Sequence, residues 1–330
     1  MKRICIIGAG AAGLLLLYNL EKHTIDPKWI TIVDPSHNGG DLHKKWLKVR
    51  SNTTWRQIME AVPSRNSFAK PWDSLNPEEP VELKYVIDYL HACVKDYMGK
   101  TNIRTDTVIH VEQTDSSWKV TLKHSKTPLS FDLVFFCQGS EPKSLDLPFP
   151  SIPLDIALDP RRLSDAVKPG QHILVFGTAH SGPIVIQNLQ PYDVKITNFY
   201  ATEKPFYFDR DGDYDGIKKD AAVIADDILA GKYTNVTLES VHDMSAIIRA
   251  GKSADACIYA CGFEPRVINP EWKAYDGLTG RIEGTRTAWG FGIAYPNKAP
   301  TGPKVYWDVS VPAFQAHIEK QMPEILATLQ

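Results

Sequence analysis

Two apolar strands, each running straight into a glycine-rich turn and a helix, predict an α/β fold built on parallel sheets. The first is residues 3–7, followed by Gly8-Ala-Gly10-Ala11-Ala12-Gly13, and the second is His172–Phe176, followed by Gly177-Thr178-Ala179-His180-Ser181-Gly182. A third observation is a repeated strand exit. Residues 131–142 and 254–265 both read as an Asp, an apolar run, a Gly and a Pro. Self-similarity of this kind implies two related units. The expected fold is therefore two Rossmann-like dinucleotide-binding domains, with 1–150 and 266–330 forming the first and 151–265 inserted as the second.

The chemistry of the first turn explains its composition. A continuously apolar strand is one covered on both faces. Gly8 begins a tight turn, Gly10 lets backbone approach a pyrophosphate, and Gly13 lets the helix through Leu14–Leu17 to Leu20 pack close. The N-terminus of that helix offers free N–H groups to a phosphate. A second strand, Trp29–Asp34, ends in an acid about 20 residues on, where a carboxylate accepts hydrogen bonds from a ribose. Ala11, Ala12 and Pro35 line the same turn.

Composition narrows the class. The 330 residues carry a net charge of −2, with 43% hydrophobic and 23% charged residues, the values of an ordinary globular protein. Such a balance gives no electrostatic footprint for nucleic acid, and no apolar run approaches the length of about 20 residues needed to span a bilayer. Met1-Lys-Arg before an apolar stretch has the look of an export signal, but the glycine turn interrupts it. A cytoplasmic location is expected. Five cysteines sit mostly in strand-like runs with no C-x-x-C pair, which excludes a dithiol active site of that type.

The remaining elements follow in order. Gly39-Gly40 lies in a polar loop, then Leu47–Trp55 alternates briefly and 60–80 is an irregular Pro- and Ser-rich stretch. Pro80 is expected to open a helix carrying Val86, Leu90, Val94 and Tyr97. Val108–Val111, Trp118–Leu122 and Leu133–Phe136 read as an antiparallel block leading to Gly139. In the second domain Ala179 replaces the middle glycine of the turn. Lys195–Tyr200 is a strand, Ile217–Leu229 a helix and Val236–Val241 a strand. Lys204 and Thr202 suit a 2′-phosphate whereas Glu203 suits a free hydroxyl, so the pattern leaves NADPH and NADH both open. Pro312 opens the last helix, to Leu329, since proline belongs in a first turn.

Taken together, the chain resembles the flavin-containing monooxygenases, within the two-dinucleotide-binding-domain flavoproteins. The resemblance rests on Gly8–Gly13 with Asp34, Gly39-Gly40, Ser51-Asn52-Thr53, Cys261-Gly262-Phe263 and Phe314-Gln315-Ala316. Two departures stand beside it. The Phe-x-Gly signature with a following His is missing from 150–170, and the chain is short.

The resemblance implies an FAD domain with an inserted NAD(P)H domain. It further implies a reaction in which NAD(P)H reduces the flavin and a flavin C4a-hydroperoxide passes one oxygen to a nitrogen or sulfur centre of a small molecule. FAD is expected at Gly8, Gly10, Ala11, Ala12, Gly13, Asp34, Pro35, Gly40, Asn52, Gly139, Gly292 and Gln315. The nicotinamide dinucleotide is expected at Gly177, Thr178, His180, Ser181, Gly182, Lys204 and Gly262. Asn52 is the expected catalytic residue, its amide holding the oxygen adduct, with a plain turn residue as the alternative. The helix N-terminus at 311–315 is expected to face the reduced flavin. Trp46, Trp55 and Trp72 read as core or lid packing in one view and as stacking partners in the other. Molecular oxygen and a small-molecule substrate are the expected partners, and a homodimer is left open. A flavin-dependent reductase or oxidase, or a redox-sensing flavoprotein, is the rival reading.

Overall fold

The computed structural model describes residues 2–64, 72–145, 147–206, 217, 219–301 and 304–330. The chain forms two compact units, one of Met1–Ser140 with Pro265–Gln330 and one of Glu141–Glu264. In chain order the first unit supplies β1 (Ile4–Ile7), α1 (Ala11–Lys22), β2 (Ile30–Val33), α2 (Leu83–Met98), β3 (Asn102–Arg104) and β4 (Leu133–Phe136). The second supplies β5 (His172–Phe176), α3 (Ser181–Leu189), β6 (Lys195–Tyr200), α4 (Asp220–Leu229), β7 (Val236–Ser240) and β8 (Ala256–Tyr259). Back in the first unit come β9 (Ala288–Gly290) and α5 (Val311–Leu329).

The first unit is organised by one sheet of order β9-β4-β1-β2-β3, parallel throughout. Alternation along the central strands β1 and β4 explains why they are apolar at every position. Ile4, Ile6, Ile30, Ile32, Leu133 and Phe135 pack with α1, α2 and α5 on one face. Cys5, Ile7, Val33, Val134 and Phe136 pack on the other against Val111, Trp118, Val120 and Phe131. Those last residues belong to a three-stranded antiparallel layer, 108–113, 118–122 and 129–131. A strand buried on both faces has no place for a polar side chain.

The second unit repeats the plan with a sheet of order β7-β6-β5-β8, again parallel. Phe176 stacks on Phe199 with ring centroids 5.0 Å apart, and Leu174, Cys257 and Tyr259 complete that side.

Three sequence expectations need correction. Pro80 opens a strand, not a helix. Residues 80–82 pair antiparallel with 50–54, and the helix starts at Leu83. Leu133–Phe136 leaves the antiparallel block for the parallel sheet, where its four residues are all buried. Its place in the block is taken by 129–131. Finally, Ser51-Asn52-Thr53 lies within the strand 50–54 and is not a turn. Of the irregular stretch expected over 60–80, residues 65–71 lie outside the described residues, as does 218 in the helix expected from Ile217.

Candidate cofactor site

Backbone contacts build the first glycine turn before any side chain is considered. Gly8 has φ +102°, and a Cβ there would stand 2.4 Å from the Cys137 carbonyl oxygen. Its N–H donates to Val33 O at 2.9 Å. A Cβ on Gly13 would meet Gly8 O at 2.1 Å. Both positions therefore exclude every side chain, since real Cβ contacts never come this close. Gly10 is different. Only Gly39 O lies within reach of a Cβ there, at 3.9 Å, which leaves room above the turn for a ligand.

Tertiary folding gathers further expected residues at this turn. Gly40, at φ +62°, would bring a Cβ to 3.3 Å from Gly10 Cα. Gly292 lies against the first turn of α1, its would-be Cβ 2.6 Å from that of Ala12. Gly139, two residues beyond Cys137, has φ +72°. Ala11 is half-buried and Pro35 exposed.

Asp34 is buried and braces both its own loop and the glycine turn. Its Oδ2 accepts from Ala9 N at 2.9 Å, and its Oδ1 accepts from Ser36 N and His37 N, both at 2.8 Å. Burial pushes the carboxyl pKa up, but these three N–H donors and the nearby His37 outweigh it and leave the group below the usual carboxylate range. A carboxylate has about four acceptor sites, so Oδ2 keeps one for a ribose hydroxyl. Among the described residues, two ring nitrogens of His37, the Oε1 of Gln138 and the Oγ of Ser140 are buried with no partner. Polar atoms left unmet around a Cβ-free cradle fit a polar dinucleotide.

Two further expected residues have these surroundings. Gln315 is 2% exposed, and its Oε1 accepts from Asn19 Nδ2 at 2.9 Å in the seam between α1 and α5. The amide is spent on that helix pair, and the first turn of α5 is capped by Ser310, whose Oγ accepts from Ala313 N and whose carbonyl accepts from Phe314 N. Asn52 is half-buried on its strand, and among the described residues its amide has no hydrogen bond. Its neighbours anchor the strand. Ser51 Oγ donates to Thr53 O and accepts from Val81 N, and Thr54 forms a capping box with Gln57. Trp55 and Trp72 pack edge-on against Tyr89, at 5.1 and 5.5 Å, as core residues, and Trp46 is buried.

The second turn copies the first. Gly177 has φ +110° with a would-be Cβ 2.2 Å from Ala260 O, and Gly182 would meet Gly177 O at 2.3 Å. Gly177 N donates to Phe199 O at 2.8 Å. Thr178 is buried, and His180 is the residue preceding α3 with helical dihedrals, a helix-start position. Ser181 opens α3 half-buried. Gly262 follows β8 at φ +88° with open space around it. Lys204 is exposed beside Thr202, whose hydroxyl donates to Lys204 O at 2.6 Å. By register, the residue after Phe199 is Tyr200, so Tyr200 stands where Asp34 stands in the first unit. Asn198, wholly buried, donates through Nδ2 to Val175 O and Gly177 O at 2.9 and 3.0 Å. Sequence reading missed both residues because register decides which strand position faces the turn.

A hollow of about 440 Å³ lined by Arg281, Arg286, Thr287, Glu324 and Thr328 lies at the other end of the sheet. Lys2, which precedes β1, bonds Thr328 O there, whereas Gly8 follows β1. None of the five cysteines forms a disulfide, and burial raises the thiol pKa of Cys5, Cys137, Cys257 and Cys261. Among the described residues, no group of three His, Cys, Asp or Glu is placed to hold a metal ion, and no helix is long and apolar enough to cross a membrane.

Comparison with known proteins agrees with this geometry. Residues 5–141 match a family model described as FAD-NAD(P)-binding. A flavin monooxygenase mutant from Stenotrophomonas maltophilia superposes with a TM-score of 0.69 at 14% identity, covering 100% of this chain and 99% of that one. The bacillithiol disulfide reductase of Staphylococcus aureus gives 0.66 at 13% identity, and a thioredoxin reductase of Lactococcus lactis 0.59 at 11%, both with 100% and 99% coverage. No curated protein sequence matches the chain. The fold is thus that of a two-dinucleotide-binding-domain flavoprotein, the arrangement found in flavin monooxygenases. FAD and NAD(P) are the cofactors named by the family model that residues 5–141 match.

Proposed function

We propose that the chain is an FAD-dependent monooxygenase that consumes NAD(P)H and delivers one atom of oxygen to a nitrogen or sulfur centre of a small molecule. The overall balance is NAD(P)H, a proton, oxygen and substrate giving NAD(P)⁺, water and the oxygenated product. The observation carrying this reading is the duplicated cradle, because two turns closed to any Cβ in the same way supply one seat for each dinucleotide. When bound, FAD supplies the redox chemistry, accepting a hydride and passing electrons to oxygen. The chain's own residues bind and orient. Gly8–Gly13 and the start of α1 receive the pyrophosphate, Asp34 takes a ribose hydroxyl, and Gly177–Gly182 with Lys204 receives the nicotinamide dinucleotide. Asn52 brings an amide with both donor and acceptor to the oxygen step.

The disulfide reductases of the same fold suggest a rival, thiol chemistry, but the cysteines here speak against it. None is in a disulfide, and burial keeps the thiolate form unfavourable at Cys5, Cys137, Cys257 and Cys261. The test is an Asn52→Ala variant. It should retain FAD and be reduced by NADPH normally, yet release hydrogen peroxide in place of product, with oxygenation falling about a hundredfold. A variant that stays fully coupled would remove Asn52 from the chemistry. Wild-type protein that consumes NADPH without ever oxygenating an amine or thioether would leave only a reductase or oxidase.

A further inference from the structure

The first cradle is bounded by three chain segments, and one side chain joins two of them. Arg266 N–H donates to Gly139 O at 3.1 Å, Arg266 O accepts from Gln138 Nε2 at 3.0 Å, and its guanidinium donates to Gln138 O at 3.3 Å. The residue is therefore fixed to the strand exit that begins one position after Cys137, whose carbonyl faces Gly8. From there the guanidinium reaches Asp41 on the opposite side and forms an ion pair. Asp41 directly follows Gly40, which lies against Gly10. Gly8, Cys137, Gln138, Arg266, Asp41, Gly40 and Gly10 thus make a closed circuit around the pyrophosphate seat.

We propose that the Arg266–Asp41 pair is a clasp that retains the dinucleotide in the first cradle. This rests on the FAD reading above. The pair suits an opening part. Both side chains are partly exposed, 34% for Arg266 and 20% for Asp41, so water can replace either partner at modest cost. Asp41 also has Lys45 at 3.4 Å, so an open clasp leaves its carboxylate paired. Arg266 stays anchored through its backbone while its charged end lets go. Arg266 here is a positioning residue, acting on the cofactor through the loop that carries Gly40.

A rival role for Arg266 is direct contact with a cofactor phosphate, and the two roles predict opposite signs at Asp41. A clasp needs both partners, so Asp41→Asn should speed FAD release as Arg266→Gln does. A phosphate ligand is freed by the loss of Asp41, so Asp41→Asn should then slow release. The experiment follows the activity gained by an excess of a different apo-flavoenzyme, which captures released FAD, when FAD-loaded protein is diluted into it. Both single variants should release FAD about fivefold faster than wild type, the worth of one half-exposed ion pair. The wild-type rate should rise with salt and approach theirs, and the swapped pair Asp41→Arg with Arg266→Asp should recover part of the slow release. Thermal unfolding of the apo-proteins should be nearly unchanged. Slower release from Asp41→Asn, or release at the wild-type rate from Arg266→Gln, overturns the clasp. Wild-type protein that binds no FAD at all overturns the cofactor reading and the clasp with it.

Discussion

The two glycine turns share a backbone plan and differ in what braces it. In both, the first glycine has a strongly positive φ and faces a carbonyl of the neighbouring strand, and the last glycine sits on the first. The first turn is tied from the side by a carboxylate, since Asp34 accepts from the Ala9 N–H inside the turn. The second is tied from below by an amide, with Asn198 donating to Gly177 O, and Tyr200 stands at the place of the acid. The difference bears on ligand choice. A carboxylate in this position favours a free ribose diol and repels a 2′-phosphate, so the first cradle suits FAD. The second has Tyr200 there, with Glu203 and Lys204 both exposed a few residues on, so a preference for NADPH is a proposal that rests on Lys204.

The largest effect should come from adding one methyl to either turn. Gly8→Ala and Gly177→Ala each force a Cβ against a backbone carbonyl at positive φ, costing about 3 kcal/mol or more. The outcomes should separate. Gly8→Ala should give colourless protein, whereas Gly177→Ala should remain yellow and be reduced by dithionite but not by NADPH. If Gly177→Ala is reduced normally by NADPH, the second cradle is not the nicotinamide site.

Next in size is Asp34→Asn, which loses a charged acceptor of three N–H groups and should cost about 2 kcal/mol, together with FAD affinity. The pH dependence sharpens the point. Because the folded pKa of Asp34 lies below its unfolded value, its contribution is present above about pH 4 and is lost as pH falls through the folded pKa. Urea midpoints should therefore drop less steeply on the acid side in Asp34→Asn than in wild type. Equal slopes would remove Asp34 as the brace of the first turn.

Asn198→Ala should be milder. It removes two hydrogen bonds but also a carbonyl oxygen that is buried without a partner, so a net loss of about 1 kcal/mol is expected. The KM for NADPH should rise while FAD affinity stays as it was. An unchanged KM would mean the amide supports the sheet alone. Smallest of all is Lys204→Ala, which should raise KM for NADPH about threefold and leave NADH nearly untouched, as befits a solvent-screened contact. Equal changes for both dinucleotides would place Lys204 outside the site.

Local chemistry made much of this legible from the chain alone. A glycine that must face a carbonyl, a strand covered on both sides and a proline in a first helical turn each leave a mark at their own position. For that reason Gly8–Gly13, Gly177–Gly182, the apolar strands and the start of α5 could be read directly. Tertiary structure decided whatever depends on a distant partner. Leu133–Phe136 has the composition of either kind of strand, and only the empty place beside β1 put it in the parallel sheet. Gln315 looked like a polar residue awaiting a ligand until Asn19, from a helix near the other end of the chain, took its amide. Asp34 announced itself as a ribose acid, but folding also made it the knot of its own loop. Tyr200 and Arg266 carried no motif, because strand register and a contact between residues 41 and 266 are not properties of any local stretch.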